Sequence, residues 1–201
     1  EKLASKGFSF SEEIFRDKSC GFLLRFGEQM TKVSIRHLGR HNIMNALTAS
    51  AAAFAIGLMA EAMRLGLDAC SPAPGRLYPI RGKHRLNILD DSYNANPSAL
   101  TAALEVLSAQ SGQKWVVIGD MNELGDLSED FHRQAGKRIG DAGVDRLFTI
   151  GEKAVVAARS FSGPSEHFSD VNLLIERLSE ISANSSIDIS PASNAQPEKK
   201  R

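Results

Sequence analysis

The sequence predicts an α/β fold whose second half is a parallel sheet covered by helices. Three observations carry this. From residue 86 onward, short apolar runs of strand length alternate with stretches of helical spacing. Glycines close two of those runs, Gly119 after Trp-Val-Val-Ile and Gly151 after Leu-Phe-Thr-Ile. Asn96-Pro97 is a helix start, with Asn96 placed to cap and Pro97 in the first turn. Strand-helix alternation brings successive strands back in the same direction, which is parallel pairing.

The elements follow in order. Residues 8–38 are β-like, with the run Phe22-Leu23-Leu24, the alternation Val33-Ser34-Ile35, and Gly21, Gly27 and Gly39 as punctuation. From His41 the period changes: Ile43, Met44, Leu47, Ala51, Phe54, Ala55 and Leu58 recur at helical spacing. A short helix over 59–65 is expected to stop near Gly66. Ser71-Pro72-Ala73-Pro74-Gly75 cannot continue a helix and is taken as a domain boundary. Beyond it the pattern predicts strands at 86–89, 115–118, 147–150 and near His167-Phe168. Helices are expected from Asn96, over 128–142 with Gly143 closing, and over 152–161 and 170–181. The helix after Asn96 carries the stripe Leu100, Ala103, Leu104 and Leu107. From Ser182 to Arg201 the chain is polar, Pro-bearing and weakly patterned, which predicts disorder, with Ile187-Asp188-Ile189 as the stub of a further strand.

Bulk properties exclude several classes. With 201 residues and 42% hydrophobic content the chain can bury a core. Lys+Arg and Asp+Glu are equal at 24 each, so no net charge draws it to nucleic acid or an anionic membrane, and any anionic ligand must be held locally. The longest apolar stretch, residues 49–60, is too short to span a bilayer, and no secretory leader opens the chain. Cys20 and Cys70 form no metal-spaced cluster and read as reduced structural thiols of a cytosolic protein.

Four segments carry chemistry. In Gly39-Arg40-His41-Asn42-Ile43-Met44-Asn45, polar groups sit at a helix start, where free N–H groups and the helix dipole favour anions. Asn42 and Asn45 share a face; spacing alone favours Asn42 as an N-cap and Asn45 as a surface residue. Arg76, just past the prolines, is placed to clamp a phosphate, or is an ordinary surface arginine. Asp90-Asp91-Ser92-Tyr93-Asn94-Ala95-Asn96-Pro97 runs from a strand end into a helix, the usual ligand position in open α/β sheets. Its carboxylates suit ribose hydroxyls or metal-bound water, although a turn capped by its own Asp and Asn side chains has the same composition. Gly119-Asp120-Met121-Asn122-Glu123-Leu124-Gly125 ends the next strand; Asp120 and Glu123 there can orient an amine or a water, or merely line a glycine-bounded loop. His132 and His167 fall within predicted elements and read as structural. The glycine spacing is not that of a dinucleotide fingerprint, which argues against a nicotinamide-dependent oxidoreductase. GxxxxGK[ST] is also absent: Gly82-Lys83 is followed by His84 and Gly136-Lys137 by Arg138.

Taken in order, the segments at 39–57, 74–80, 90–97 and 119–125 resemble those of the Mur ligases, and Tyr93 and Asn94 resemble the branch that adds D-alanyl-D-alanine. The resemblance runs over roughly residues 33–178. It implies that residues 1–75 are the end of a central ATPase domain, that 76–183 are a Rossmann-like C-terminal domain, truncated, and that 184–201 are a tail. It further implies a cytoplasmic ligase of peptidoglycan synthesis that uses ATP and Mg2+ to join D-Ala-D-Ala to UDP-MurNAc-tripeptide through an acyl phosphate. By resemblance His41, Asn42, Asn45, Arg76 and Asp91 lie at the nucleotide, and Asn94, Asn96, Asp120 and Glu123 on the side of the dipeptide. The family's P-loop, metal-binding carboxylate and modified lysine have no counterpart in the sequence, nor does its Lys-Gly-Ser-Arg-type motif near the end. The expectation is therefore a fragment inactive alone, with a non-catalytic nucleotide- or peptide-binding remnant as the alternative.

Overall fold

The computed structural model describes residues 9–16, 19–26, 29–83 and 86–184. The first half is an antiparallel sheet of β1 (Ser9–Arg16), β2 (Ser19–Phe26) and β3 (Gln29–Ile35), in that order, under two helices. The period of two explains its buried face: Cys20, Phe22 and Leu24 alternate inward on β2 and meet Val33 and Ile35 of β3. Helices α1 (Arg40–Ala55) and α2 (Ala60–Ala69) close over this face with Ile43, Ala46 and Met63.

Three expectations for this half change. Gly21 lies within β2, paired with Ser34, so it does not punctuate. The buried register of α1 is Ile43, Ala46 and Ser50, leaving Met44 and Ala55 exposed, with Leu58 beyond the helix end also exposed. Ser50 enters the core because its hydroxyl donates to the Ala46 carbonyl at 2.8 Å. Gly66 does not stop α2, which runs three residues further to Ala69: a solvent-facing glycine costs a helix only about 1 kcal/mol.

In the second half, β4 (Tyr78–Arg81) and β5 (Asn87–Asp90) form an antiparallel hairpin with Ile80 opposite Ile88. β4 was not anticipated. β5 pairs with it and does not join the parallel sheet, so that sheet begins one strand later than the pattern suggested. Helix α3 (Pro97–Ser108) follows, and its predicted cap is present: the Asn96 side chain accepts from Ser98 N at 3.0 Å and Ala99 N at 2.9 Å. The parallel sheet is β6 (Trp115–Ile118), β7 (Arg146–Ile150) and β8 (Ser165–Phe168), in that order, joined through α4 (Ser128–Asp141) and α5 (Val155–Ser160). Helix α6 (Val171–Asn184) ends the described chain. Residues 182–184 are thus helical where disorder was expected; residues 185–201, including the expected strand stub, lie outside the described residues.

Two apolar clusters matter for the site. Leu104, Ile118, Met121, Ile139, Leu147, Ala157 and Phe161 fill the space between α3, the parallel sheet, α4 and α5. A smaller one joins the halves: Leu38 before α1, Leu77 after the linker and Val106 on α3 are each under a tenth exposed and pack together. Helix α3 contributes to both.

Candidate functional site

The apolar seam carries polar groups around it. Helix α1 begins at Gly39, whose φ of 92° and whose closeness to the His41 ring exclude a side chain: a Cβ there lies 2.7 Å from His41 Cε1 and 3.0 Å from Val106 Cγ2. No side chain caps this helix start. Asn42 is therefore not the N-cap that spacing favoured. It sits inside the first turn, where its Nδ2 donates to the Leu38 carbonyl at 2.8 Å and lies 3.0 Å from His41 Nε2, while its Oδ1 accepts from Asn45 at 3.2 Å. His41, Asn42 and Asn45 form one connected polar row.

The linker and the 90–97 loop are clasped together. Asp90 Oδ2 accepts from Gly75 N at 3.2 Å, Asp91 Oδ1 accepts from Leu77 N at 3.1 Å, and Tyr93 N donates to Gly75 O at 3.0 Å. These bonds bracket Arg76, whose guanidinium carbon lies 4.1 Å from the centre of the Tyr93 ring. Gly75 has φ 76°, and a Cβ on it meets the Tyr93 amide nitrogen at 3.0 Å. Leu77 accepts an unusual φ of 49° while burying its side chain in the seam.

The adjacent carboxylates differ in environment. The Ser92 hydroxyl and amide, and then the Gly75 amide, hold Asp90 below the usual carboxylate range. Burial pushes Asp91 above it, against the Leu77 amide and the attraction of His41 and Arg76. The Leu77–Asp91 bond and the cluster of Leu38, Leu77 and Val106 bring Asp91, the linker arginine and the α1 start to one seam. Three segments separated by tens of residues, contributing His41, Arg76 and Asp91, thus converge.

The remaining candidates divide. Asn96 is occupied as the α3 cap, while Asn94 is exposed with no hydrogen bond among the described residues. At the end of β6, Asp120 Oδ1 accepts from Lys153 N at 2.9 Å and Ala154 N at 2.7 Å, so this carboxylate ties its loop to the turn before α5. The same carboxylate stands 2.6 Å from where a Cβ on Gly151 would be, which accounts for glycine there. Met121 N donates to Nε2 of fully buried His132, whose Nδ1 lies 2.7 Å from the Ser128 carbonyl. An amide only donates, so Nε2 accepts and Nδ1 carries the hydrogen. His132 is structural, as the sequence suggested, and pins the loop that holds Glu123. Glu123 itself is exposed at φ 61°. The bonds of this loop run to α4 and to residues 153–154, not to the 90–97 loop.

Sequence reasoning missed the roles of Gly75, Leu77, Asp90 and Tyr93 in the clasp. The signal was a Pro-Gly turn and a doubled aspartate 15 residues apart, too generic to pair without the fold. Among the described residues, no group of three or more His, Cys, Asp or Glu could hold a metal ion, and no helix is long and apolar enough to cross a membrane.

These features define a class: an α/β protein with polar loops at the carboxyl ends of its strands, beside an uncapped helix start. A family model described as Mur ligase, glutamate ligase domain, matches residues 75–192. The chain is 44% identical over 140 residues to UDP-N-acetylmuramoyl-tripeptide--D-alanyl-D-alanine ligase of Escherichia coli (strain K12), covering 70% of this chain and 31% of the relative. A crystal structure of MurF from Acinetobacter baumannii matches with a TM-score of 0.79 at 30% identity, over 87% of this chain and 38% of that one. MurF ligase from Thermotoga maritima in complex with ADP shares the fold, with a TM-score of 0.74 at 21% identity, over 86% of this chain and 40% of that one. The chain belongs to the Mur ligase family, and it spans about a third of the length of the curated relative it matches.

Proposed function

We propose that this chain forms the nucleotide- and amine-facing part of a cytoplasmic ligase of peptidoglycan synthesis that joins D-alanyl-D-alanine to UDP-MurNAc-tripeptide. Residues 1–75 belong on this reading to its central domain and 76–183 to its C-terminal domain. The observation that carries it is the meeting of the α1 start, the linker arginine and Asp91 at the seam, through the Leu77–Asp91 bond and the cluster of Leu38, Leu77 and Val106.

The groups present suit a nucleotide. The α1 start has no side-chain cap, its partial positive charge faces the seam, Arg76 forms no salt bridge among the described residues, and Asp91 keeps one carboxylate oxygen without a hydrogen bond there. Arg76 places a positive charge where phosphate charge accumulates, and Asp91 accepts from ribose hydroxyls. His41, Asn42 and Asn45 fix the helix start against the base or sugar. ATP supplies the phosphoryl group that turns the tripeptide carboxylate into an acyl phosphate. Asn94 on the 90–97 loop and Glu123 on the 119–125 loop are free polar side chains to orient the incoming amine. Asn96 and Asp120 shape their loops through the backbone bonds they already make. No Mg2+ site is assigned to the described side chains.

The test is titration of the 201-residue chain with Mg-ATP, then reconstitution of ligation with a separately supplied fragment carrying a P-loop. Arg76→Ala is expected to weaken ATP about tenfold or more, the scale of one charge-assisted contact. ATP binding that is absent, or indifferent to both Arg76→Ala and Asp91→Ala, overturns the reading. Binding without ligation in the reconstituted pair would support a nucleotide-binding remnant instead.

A further inference from the structure

We infer that Tyr93 is the positioning residue for Arg76: its ring fixes the direction of the guanidinium without neutralising it. The inference rests on the reading that Arg76 meets the anionic part of a nucleotide.

Residues 75, 76 and 77 are held on both sides of the arginine. The Gly75 amide is bound by Asp90, the Gly75 carbonyl by the Tyr93 amide, and the Leu77 amide by Asp91. The Arg76 backbone is therefore fixed, and the freedom that remains is that of its side chain. That side chain is exposed, so solvent alone would let it sample many rotamers. The Tyr93 ring lies 4.1 Å from the guanidinium carbon and supplies the missing constraint. The ring is anchored at its base, because the Tyr93 amide is bonded to Gly75 and a methyl group on Gly75 would press on the Tyr93 backbone and Cβ.

Tyr93 is 68% exposed and is absent from the apolar clusters, so core packing does not account for a large aromatic here. A carboxylate beside Arg76 would orient it too, but it would compete with an incoming phosphate. An aromatic face orients the cation and leaves its charge and its N–H donors for the ligand. Asp91, the nearby acid, is engaged with Leu77 N and is resisted by burial.

The experiment is a double-mutant cycle read by calorimetric titration of the 201-residue chain with Mg-ATP. Urea midpoints are measured alongside, to show that each variant folds. Tyr93→Phe, which keeps the ring, is expected to bind as wild type. Tyr93→Leu is expected to weaken binding about two- to fivefold, the range of an exposed cation–π contact. In an Arg76→Gln background Tyr93→Leu should have no further effect, because a residue acting through Arg76 has nothing left to act on. Equal loss in both backgrounds, as direct stacking of Tyr93 on the ligand would give, overturns the inference, and so does wild-type affinity in Tyr93→Leu. A second readout needs no ligand: the Arg76 side-chain N–H resonance should carry a ring-current shift that survives Tyr93→Phe and vanishes in Tyr93→Leu. An unshifted resonance in the wild type overturns the inference even where ATP binds. A shifted resonance in a chain that binds no ATP instead overturns the functional reading.

Discussion

Two glycines inside helices should respond to the same substitution with opposite signs. Helix propensity alone says that replacing either by alanine stabilises, by about 0.5–1 kcal/mol. At Gly66, on the exposed face of α2, nothing lies within 4 Å of a new Cβ, so the propensity gain should appear undiminished. Gly136 in α4 is buried, and a Cβ there stands 2.2 Å from the Ala157 carbonyl oxygen and 3.0 Å from Ser160 Cβ. Real Cβ atoms essentially never come closer than 3.0 Å, so α4 and α5 must separate by about 0.8 Å. The clashing atom is a backbone oxygen, and the surrounding Ala135, Ile139 and Ala157 are almost wholly buried, leaving no flexible side chain to yield. Overpacking of this kind costs about 1–3 kcal/mol. At the upper end of that range, less the propensity gain, Gly136→Ala should lose about 2 kcal/mol, or on the order of 4–8 °C in Tm for a chain of this size. Urea denaturation with an unchanged slope measures both variants. A Gly136→Ala midpoint at or above wild type refutes the close α4–α5 packing, and a lower midpoint for Gly66→Ala refutes the exposed placement of Gly66 on α2.

Other perturbations probe the two loops. His132→Leu nearly keeps the volume but leaves the Met121 amide without its acceptor, so chemical denaturation should show a loss of about 1–3 kcal/mol; an unchanged midpoint would mean that the loop is not pinned there. Asp120→Ala removes two charge-assisted bonds to residues 153 and 154 and should cost about 2 kcal/mol. A thermal scan that barely moves would release that carboxylate for substrate. The Asp90 and Asp91 pair should give opposite pH dependences. Asp91 is raised by burial, so the folded state holds its proton more tightly, and stability falls as pH rises from the unfolded value near about 4 through the raised one. Asp91→Asn should erase that slope and be as stable as wild type or more so at pH 7. Asp90 is held low by Ser92 and Gly75, so it contributes stability above about pH 4 that is lost as pH falls through its depressed value. Asp90→Asn should be the destabilised variant at pH 7. Urea midpoints from about pH 3 to pH 7 decide, and a destabilised Asp91→Asn at pH 7 would show that attraction to His41 and Arg76 outweighs burial.

What the sequence made legible is what depends on neighbours in the chain. The Asn96 cap, the strand Trp115–Ile118 and the helix over 128–142 were readable because cap chemistry and apolar period act over a few residues. The β4–β5 hairpin was half missed: four-residue strands carry little period, and Ile80 and Ile88, 41% and 42% exposed, show no clear buried face. The pairing of β5 with β4 instead of the parallel sheet is a tertiary choice that no local pattern encodes. The candidate site was legible as residue types and not as an arrangement. Asp90 and Asp91 are the same side chain one position apart, yet one meets a hydroxyl and two amides and the other a buried seam; only the fold separates them.

The seam also explains why the polar groups converge where they do. Two polar candidates sit next to apolar anchors, since Leu38 precedes Gly39 and the α1 start and Leu77 follows Arg76; the third anchor, Val106, lies near the far end of the helix that Asn96 caps. The three anchors bury each other, so the packing that joins the two halves also sets the spacing of His41, Arg76 and Asp91. Leu77 is held in a left-handed conformation that a side chain rarely adopts, and it is tied there by Asp91 on its own amide. The strained residue, its buried partner in the seam and the carboxylate that binds its backbone are thus one unit. A change that relaxes any of them alters the distance between the helix start and the arginine before it alters either half's core, because those cores share only α3 with the seam.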